Sequence, residues 1–83
     1  MELPHWWGWE LAYTEHVEGR MEERGVSDVD LRTMLQDPTS IGPGRHGRWQ
    51  VEARHAGQRW TIVLEPDLEE QILFVVTVYQ RFE

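Results

Sequence analysis

A histidine and two arginines follow one another at intervals of four residues, at His16, Arg20 and Arg24. In a helix this spacing brings the three side chains onto one face, within about 80° of arc. Imidazole takes up and releases protons near neutral pH, and guanidinium binds phosphate oxygens through a planar pair of donors. The combination suits RNA cleavage without a metal, in which a base removes the 2′-hydroxyl proton and cations stabilise the charge that develops on the phosphate.

A second set of candidates lies in the middle and near the end of the chain. Residues 45–59 contain four arginines and one glutamate, a local charge of +3 in a chain whose net charge is −7. We expect Arg48, Arg54 and Arg59 to bind phosphate, and Tyr79 to stack on a base or to donate a proton. Each residue type also has a structural alternative: the arginines pair with the surplus carboxylates, and the histidine and the tyrosine pack into the core.

The composition excludes several other classes of site. The chain has no cysteine, which excludes disulfides, thiolate metal sites and a cysteine nucleophile. Its four histidines lack the spacing of a metal-binding motif, so we expect neither a metal ion nor another cofactor. With 15 acidic residues against 8 basic ones, the chain is unlike a general nucleic-acid-binding domain. Only the middle of the chain is therefore expected to attract phosphate.

Three tryptophans, Trp6, Trp7 and Trp9, mark the first thirteen residues. One interpretation is that they cover one side of a small core, because each ring buries a large apolar area. The other is that they form a docking surface for a protein partner or for a second copy of the chain, since tryptophan is enriched at interface hot spots. A chain of 83 residues has a thin stability margin, which such a partner would increase.

Two short helices are expected to precede the strands. The first covers residues 15–24, with Thr14 as its N-cap and Gly25 just beyond its last turn. The second covers residues 28–36, after the capping-box pattern Ser-Asp-Val-Asp at residues 27–30, and it ends before a proline.

The apolar periodicity then changes from 3.6 to 2, after a glycine- and proline-rich loop over residues 39–47. We predict antiparallel strands at residues 48–55, 59–65 and 71–79, with a hairpin turn at Ala56-Gly57. The last of these segments is apolar on both faces, which favours the centre of the sheet.

Alternation in the hairpin predicts its register, with Trp49 opposite Leu64, Val51 opposite Ile62 and Ala53 opposite Trp60. The aromatic N-terminal segment is suited to a further strand near residues 9–13. The apolar faces of the elements predict the following buried residues: Leu31, Leu35, Val51, Ile62, Phe74 and Val76.

These elements predict a single α+β domain over residues 1–83, in which two N-terminal helices pack on an antiparallel sheet of three to four strands. Residues 1–13 form the Trp-rich segment and residues 14–83 the folded core. The longest apolar run, residues 72–78, is far shorter than the roughly 20 residues of a membrane span. The N-terminus also lacks the pattern of a secretory signal, so we expect a cytoplasmic protein.

The sequence resembles a known family. HVEGRMEERGVS at residues 16–27, a second helix ending at a proline, a Trp-bearing hairpin and VVTVY at residues 75–79 are similar to domain-of-unknown-function family 4258, over roughly residues 10–80. That family is grouped with RelE-like bacterial toxins and barnase-like ribonucleases. The resemblance implies a βααβββ arrangement with the helices on one face of the sheet. It also implies a set of active residues: His16, Arg20, Arg24 and Tyr79.

Three functions are compatible with the sequence, and whether the chain is an enzyme stays open among them. The first is a metal-independent endoribonuclease of the toxin–antitoxin type, with His16 as general base, RNA as substrate and a cognate antitoxin as partner. The second is a non-catalytic module of the same fold that docks a protein through its tryptophans. The third is an accessory or antitoxin-like protein whose acidic surface mimics nucleic acid.

Overall fold

Two helices lie on one face of a five-stranded sheet in the computed structural model, which describes residues 2–81. The elements in chain order are β1 (Glu10–Tyr13), α1 (Glu15–Arg24), α2 (Asp28–Gln36), β2 (Ser40–Pro43), β3 (Trp49–His55), β4 (Gln58–Asp67) and β5 (Ile72–Arg81). The strand order is β1-β5-β4-β3-β2. Neighbouring strands are antiparallel except β1 and β5, which are parallel.

The helices begin and end where their caps place them, which confirms both predicted ranges. The side chain of Thr14 accepts a hydrogen bond from the backbone of Val17 at the start of α1. Gly25 ends the helix in the left-handed conformation, with φ at 69°. Ser27 and Asp30 form a complete capping box at the start of α2.

Each helix is amphipathic and buries one narrow face. Val17 and Met21 of α1 lie in the core, as do Leu31 and Met34 of α2. The first helix packs mainly against β5 and the second mainly against β3, so the two helices together cover one side of the sheet. Neither helix in residues 2–81 has the length and apolar character needed to cross a membrane.

The predicted register of the β3–β4 hairpin is confirmed. Strand pairing places Val51 opposite Ile62, with the two flanking tryptophan pairs as expected from the alternation. Ala56 and Gly57 both have positive φ angles, of 52° and 77°, which is the backbone conformation of a tight hairpin turn. The alternating apolar pattern fixes the pairing because a shift of one residue would expose the buried face.

The sheet differs from the prediction in having five strands and mixed orientation. The segment expected to be a loop contains β2, and the backbone N–H groups of Thr39 and Gly44 bond to Glu52 and Arg48 of the β3 side at 2.8 Å each. Its glycine and proline are typical of a loop, so the sequence did not predict this strand. An edge strand tolerates proline because it forms sheet hydrogen bonds along only one of its two edges.

The first strand accounts for the mixed orientation. Residues Glu10–Tyr13 form β1 where the sequence favoured a further strand, and they pair with Ile72–Val75 of β5 in parallel. Because β1 occupies the outer side of β5, the last strand lies beside the central strand β4 rather than at the centre. The sequence of a four-residue strand does not indicate whether it pairs in parallel or antiparallel orientation.

Strand β5 contains one residue that has no partner in β4. Leu64 pairs with Val75 and Val63 pairs with Thr77, so that Val76 forms a β-bulge. Strand β5 therefore has one extra residue between these two pairs. Beyond it, the even-numbered residues of β5 face the helices, where the odd-numbered ones did before.

The bulge determines which residues of β5 reach the core. Leu73, Val75 and Val78 are buried under the helices, whereas Phe74 and Val76, which the alternation placed in the core, are only partly buried. Both faces of the segment are apolar, so its sequence does not say which face the helices cover. The predicted core residues of the other strands, Val51 and Ile62, are fully buried.

A matched pair of substitutions tests this assignment of the core. Val75→Ala should lower the free energy of unfolding by roughly 2 kcal/mol, because a buried side chain leaves a cavity. Val76→Ala, the same change one residue later, should lower it by less than about 1 kcal/mol. Urea unfolding followed by tryptophan fluorescence measures both values, and equal losses would show that the bulge lies elsewhere.

Candidate functional site

The face of the sheet opposite the helices, which no element in residues 2–81 covers, is called the open face here. Side chains alternate along a strand, so the residues between the core positions of β3, β4 and β5 lie on this face. Strand pairing arranges them in rows across the three strands. From one end of the face these rows are an arginine row (Arg54, Arg59, Arg81), a middle row (Glu52, Thr61, Tyr79) and an uncharged row (Gln50, Val63, Thr77), and Glu65 and Phe74 lie beyond them.

The arginine row places three positive charges on three adjacent strands. Arg54 is opposite Arg59, and Arg59 is opposite Arg81. Adjacent strands lie about 4.8 Å apart, so the row is about 10 Å wide. Like charges directly opposite one another destabilise a sheet, which makes the row a concentration of positive charge that the fold itself does not require.

Glu52 of the middle row offsets part of this charge. Its Oε1 accepts a hydrogen bond from Nη1 of Arg81 at 2.9 Å, and its Oε2 accepts one from Oγ1 of Thr61 at 2.8 Å. Thr61 is fully buried, and the side chain of Glu52 is only 21 % exposed. Arg59 is also engaged in an interaction of its own. The carboxylate is therefore held in a fixed position next to the arginines.

Tyr79 is an aromatic residue next to this charged group on the open face. It is opposite Thr61 and lies two residues before Arg81 on the same face of β5. The side chain is partly buried. The open face thus combines a guanidinium row, a fixed carboxylate and an aromatic ring, and three of its members (Arg54, Arg59 and Tyr79) were candidates from sequence.

The helical candidates His16 and Arg20 lie elsewhere, on the exposed surface of α1. Nη1 of Arg20 is 4.0 Å from Oε2 of Glu23, and both side chains are largely exposed, so this pair contributes little. Within residues 2–81, no hydrogen bond or ion pair joins either candidate to Tyr79. The structure therefore groups the tyrosine with the sheet arginines and not with the helical ones.

Arg24, the third helical candidate, has a structural contact. Its Nη1 donates a hydrogen bond of 2.7 Å to the backbone carbonyl of Val78. Strand β1 pairs with β5 only as far as Val75, so this bond ties the end of α1 to the part of β5 that lies beyond β1. Arg24 thereby helps to hold the helix on the sheet.

Arg48 is separate from the arginine row. It precedes β3, at the opposite end from Arg54, and its Nε is 3.3 Å from Oε1 of Glu65. Both side chains are 45 % exposed, and an exposed pair of this kind is worth at most about 1 kcal/mol. Arg48 is therefore not brought to the candidate site, although it was grouped with Arg54 and Arg59 from sequence.

The three N-terminal tryptophans surround an edge of the core. Trp6 is 4 % exposed and packs edge-on against Trp49, with ring centroids 5.3 Å apart. Trp7 and Trp9 are partly buried and pack against the same core. Trp6 thus follows the first interpretation, in which the tryptophans cover one side of the chain's own core.

A second polar cluster fastens the start of α2 to two strands. Tyr13 of β1 donates a hydrogen bond to Asp28, which also binds Nε of Arg32 at 2.8 Å. Asp30 lies 3.0 Å from Nε2 of His55, at the end of β3. These contacts connect the first turn of the helix to both sides of the sheet, and in the described residues no group of acidic and histidine side chains is suited to a metal ion.

The contacts of this cluster shift its pKa values in opposite directions. The hydrogen bond from Tyr13, and then the bond from Arg32, hold the pKa of Asp28 below its usual range. Burial first, and then the hydrogen bond to Asp28, raise the pKa of Tyr13 well above its usual range. Tyr13 consequently stays a neutral donor at physiological pH.

No protein-family model, curated protein or solved structure matches the chain. The resemblance to domain-of-unknown-function family 4258, and with it to RelE-like toxins, therefore stays a prediction.

Sequence analysis missed two members of the site, Arg81 and Glu52. The predicted last strand ended at residue 79, whereas β5 continues for two more residues to Arg81. This extension places Arg81 opposite Arg59 and completes the arginine row. Glu52 was assigned to the polar face of its strand but not to a role, because its contacts depend on the pairing with β4 and β5.

The Tyr13–Asp28 contact yields a prediction about titration. Tyr13→Phe removes the strongest stabiliser of the Asp28 carboxylate, so the pKa of Asp28 should rise toward about 3.9, the ordinary aspartate value. In the unaltered protein the bond adds stability that is present above about pH 4 and is lost as the pH falls through the lowered pKa.

The measurement is an NMR titration of the carboxyl carbons. Asp30 is the internal control, because the backbone and side chain of Ser27 are the main causes of its lowered pKa and the substitution leaves both in place. An unchanged pKa for Asp28 would show that the Tyr13 bond does not form in solution.

Proposed function

We propose that this domain binds RNA on its open face and cleaves it without a metal ion, as an endoribonuclease of the bacterial toxin–antitoxin type. The observation that supports the proposal is the row of Arg54, Arg59 and Arg81 beside Tyr79 and Glu52. Three guanidinium groups on one flat surface match a chain of phosphates, and an adjacent aromatic ring matches an unpaired base.

The distribution of charge favours one orientation of the RNA. The net charge of −7 repels a polyanion from most of the surface, while the arginine row attracts it to one end of the open face. Opposing fields of this kind guide a charged ligand to a small region. The acidic composition, which argues against a general nucleic-acid binder, is thus compatible with a narrow RNA site.

The cleavage step needs a group that accepts the 2′-hydroxyl proton. The 2′-oxygen then attacks the adjacent phosphorus, the 5′-oxygen leaves with a proton, and a 2′,3′-cyclic phosphate remains. Glu52 is suited to the role of general base because it is a carboxylate that lies in the same row as Tyr79, next to the arginines that would hold the phosphate. Tyr79 is suited to donate a proton to the leaving 5′-oxygen or to stack on a nucleobase. The arginines stabilise the negative charge that develops on the phosphate oxygens.

His16, the base expected from sequence, is less well supported. It lies on the exposed surface of α1, a helix that packs on the other face of the sheet. Docking of a protein through the tryptophans is also less well supported, because Trp6 is buried in the core. An endoribonuclease of the toxin–antitoxin type would be a bacterial cytoplasmic protein with an antitoxin as its protein partner.

Two variants identify the base in a cleavage assay. Glu52→Gln should lower the rate of RNA cleavage in EDTA by about 10²–10⁴-fold, the usual contribution of a general base, whereas His16→Ala should change it less than about threefold. The readout is the yield of 2′,3′-cyclic phosphate ends, with thermal melting to verify that both variants fold.

The reverse result would return the role of base to His16. Absence of cleavage by the unaltered protein, on both free and ribosome-bound RNA, would refute the enzymatic part of the proposal.

Two arginine variants test the binding surface. Arg54→Ala should weaken RNA binding and make the salt dependence shallower by about 0.7 in the slope of log K against log salt, the value for one phosphate contact in a single strand. Arg48→Ala is the matched control, since Arg48 is an exposed arginine on the same side of the hairpin but belongs to the Glu65 pair. Fluorescence anisotropy measures both slopes, and equal effects would contradict the assigned surface.

A further inference from the structure

The open face has two strips of different chemistry side by side. The arginine row lies at the end of the face formed by the start of β4 and the end of β5. Next to it along the strands come Tyr79 and then the uncharged row, with Val63 and Thr77. Rows on one face are two residues apart, which is about 6.6–6.8 Å.

We propose that this site binds single-stranded RNA over two to three successive phosphates and rejects duplex RNA. The backbone lies across the strands along the arginine row, and the bases extend over Tyr79 toward Val63 and Thr77. The inference rests on the proposed RNA binding and adds the form of RNA, the direction in which it runs and the length of the site.

The width of the arginine row sets the length of the site. Three side chains within about 10 Å can contact two or three successive phosphates. A strand that ran along β4 instead would leave the arginine row and reach the β4–β5 hairpin, which carries acids at Asp67, Glu69 and Glu70. Repulsion there limits the RNA to the crosswise direction.

Tyr79 and the uncharged row are the reason to expect single-stranded RNA. In an RNA duplex the bases face inward and only phosphates and sugars reach a flat protein surface. Tyr79, Val63 and Thr77 would then have no matching group. In a single strand the bases are free to lie on the protein, and a base stacked on an aromatic ring is bound whatever its identity.

The acidic surroundings act against a duplex as well. A duplex carries phosphates on two strands, so a second row of negative charge would approach the chain beyond the three arginines. Glu52 already neutralises part of the charge of Arg81, and the chain as a whole carries −7. The site therefore has enough positive charge for one short backbone and not for two.

Binding of 2′-O-methyl oligonucleotides, which cannot be cleaved at the 2′-oxygen, tests the inference. The ligands are uridine oligomers of increasing length and a matched-length duplex, and anisotropy at several salt concentrations gives affinity and slope. We expect affinity to stop rising at about four nucleotides, a slope of about −1.4 to −2.1 for two to three phosphates, and a duplex affinity at least tenfold lower.

Two variants of Tyr79 separate stacking from charge. Tyr79→Ala should lower the single-strand affinity about tenfold, a typical loss for one stacked base, and leave the weak duplex binding unchanged. Tyr79→Phe should retain the affinity, since it keeps the ring, and it is the control for folding.

Equal or tighter binding of the duplex, or a slope steeper than about −4, overturns the inference while the proposed RNA binding stands. A Tyr79→Ala variant that loses both ligands equally also overturns it. If neither single strand nor duplex binds, the proposed function fails together with the inference.

Discussion

The pairing of β4 with β5, and the bulge at Val76 within it, determines what both faces of the sheet contain. Without the extra residue, strict alternation from Leu73 and Val75 would carry Tyr79 and Arg81 under the helices. With it, Val78 enters the core and the next two odd-numbered residues emerge on the open face. One unpaired residue therefore determines how α1 packs, which residues of β5 enter the core and which form the candidate site. Bulges are common next to functional sites, where they change the direction of side chains.

The arginine row is electrostatically unfavourable for the folded chain. Two unit charges 5 Å apart repel by about 1 kcal/mol in water and by several times more near a protein surface. Glu52 relieves this repulsion at Arg81, and the buried hydroxyl of Thr61 fixes the carboxylate that does so. Two requirements are thus balanced in one small area: enough negative charge to let three strands pair, and enough residual positive charge for the proposed RNA binding.

Sequence analysis was accurate wherever a local signal was strong. Thr14, Gly25 and the Ser27–Asp30 capping box define both helices, and alternating residues define the β3–β4 register. The sequence did not predict β2, because its glycine and proline are typical of a loop. It also did not predict which face of β5 is buried, because both faces are apolar and the bulge has no sequence signature. Arg54, Arg59 and Tyr79 were candidates individually; their grouping with Arg81 and Glu52 follows from three-dimensional pairing, which also leaves His16 and Arg20 on another surface.

The parallel pairing of β1 with β5 has a consequence for the order of folding. Glu10 is paired with Ile72, so the two strands are separated by roughly 60 residues of sequence, and such distant contacts form late. During synthesis the helices and the β3–β4 hairpin can assemble from neighbouring residues, but the sheet stays open until β5 has left the ribosome. The arginine row needs the same strand. A chain that acts on RNA would therefore acquire its binding surface only after β5 has been synthesised.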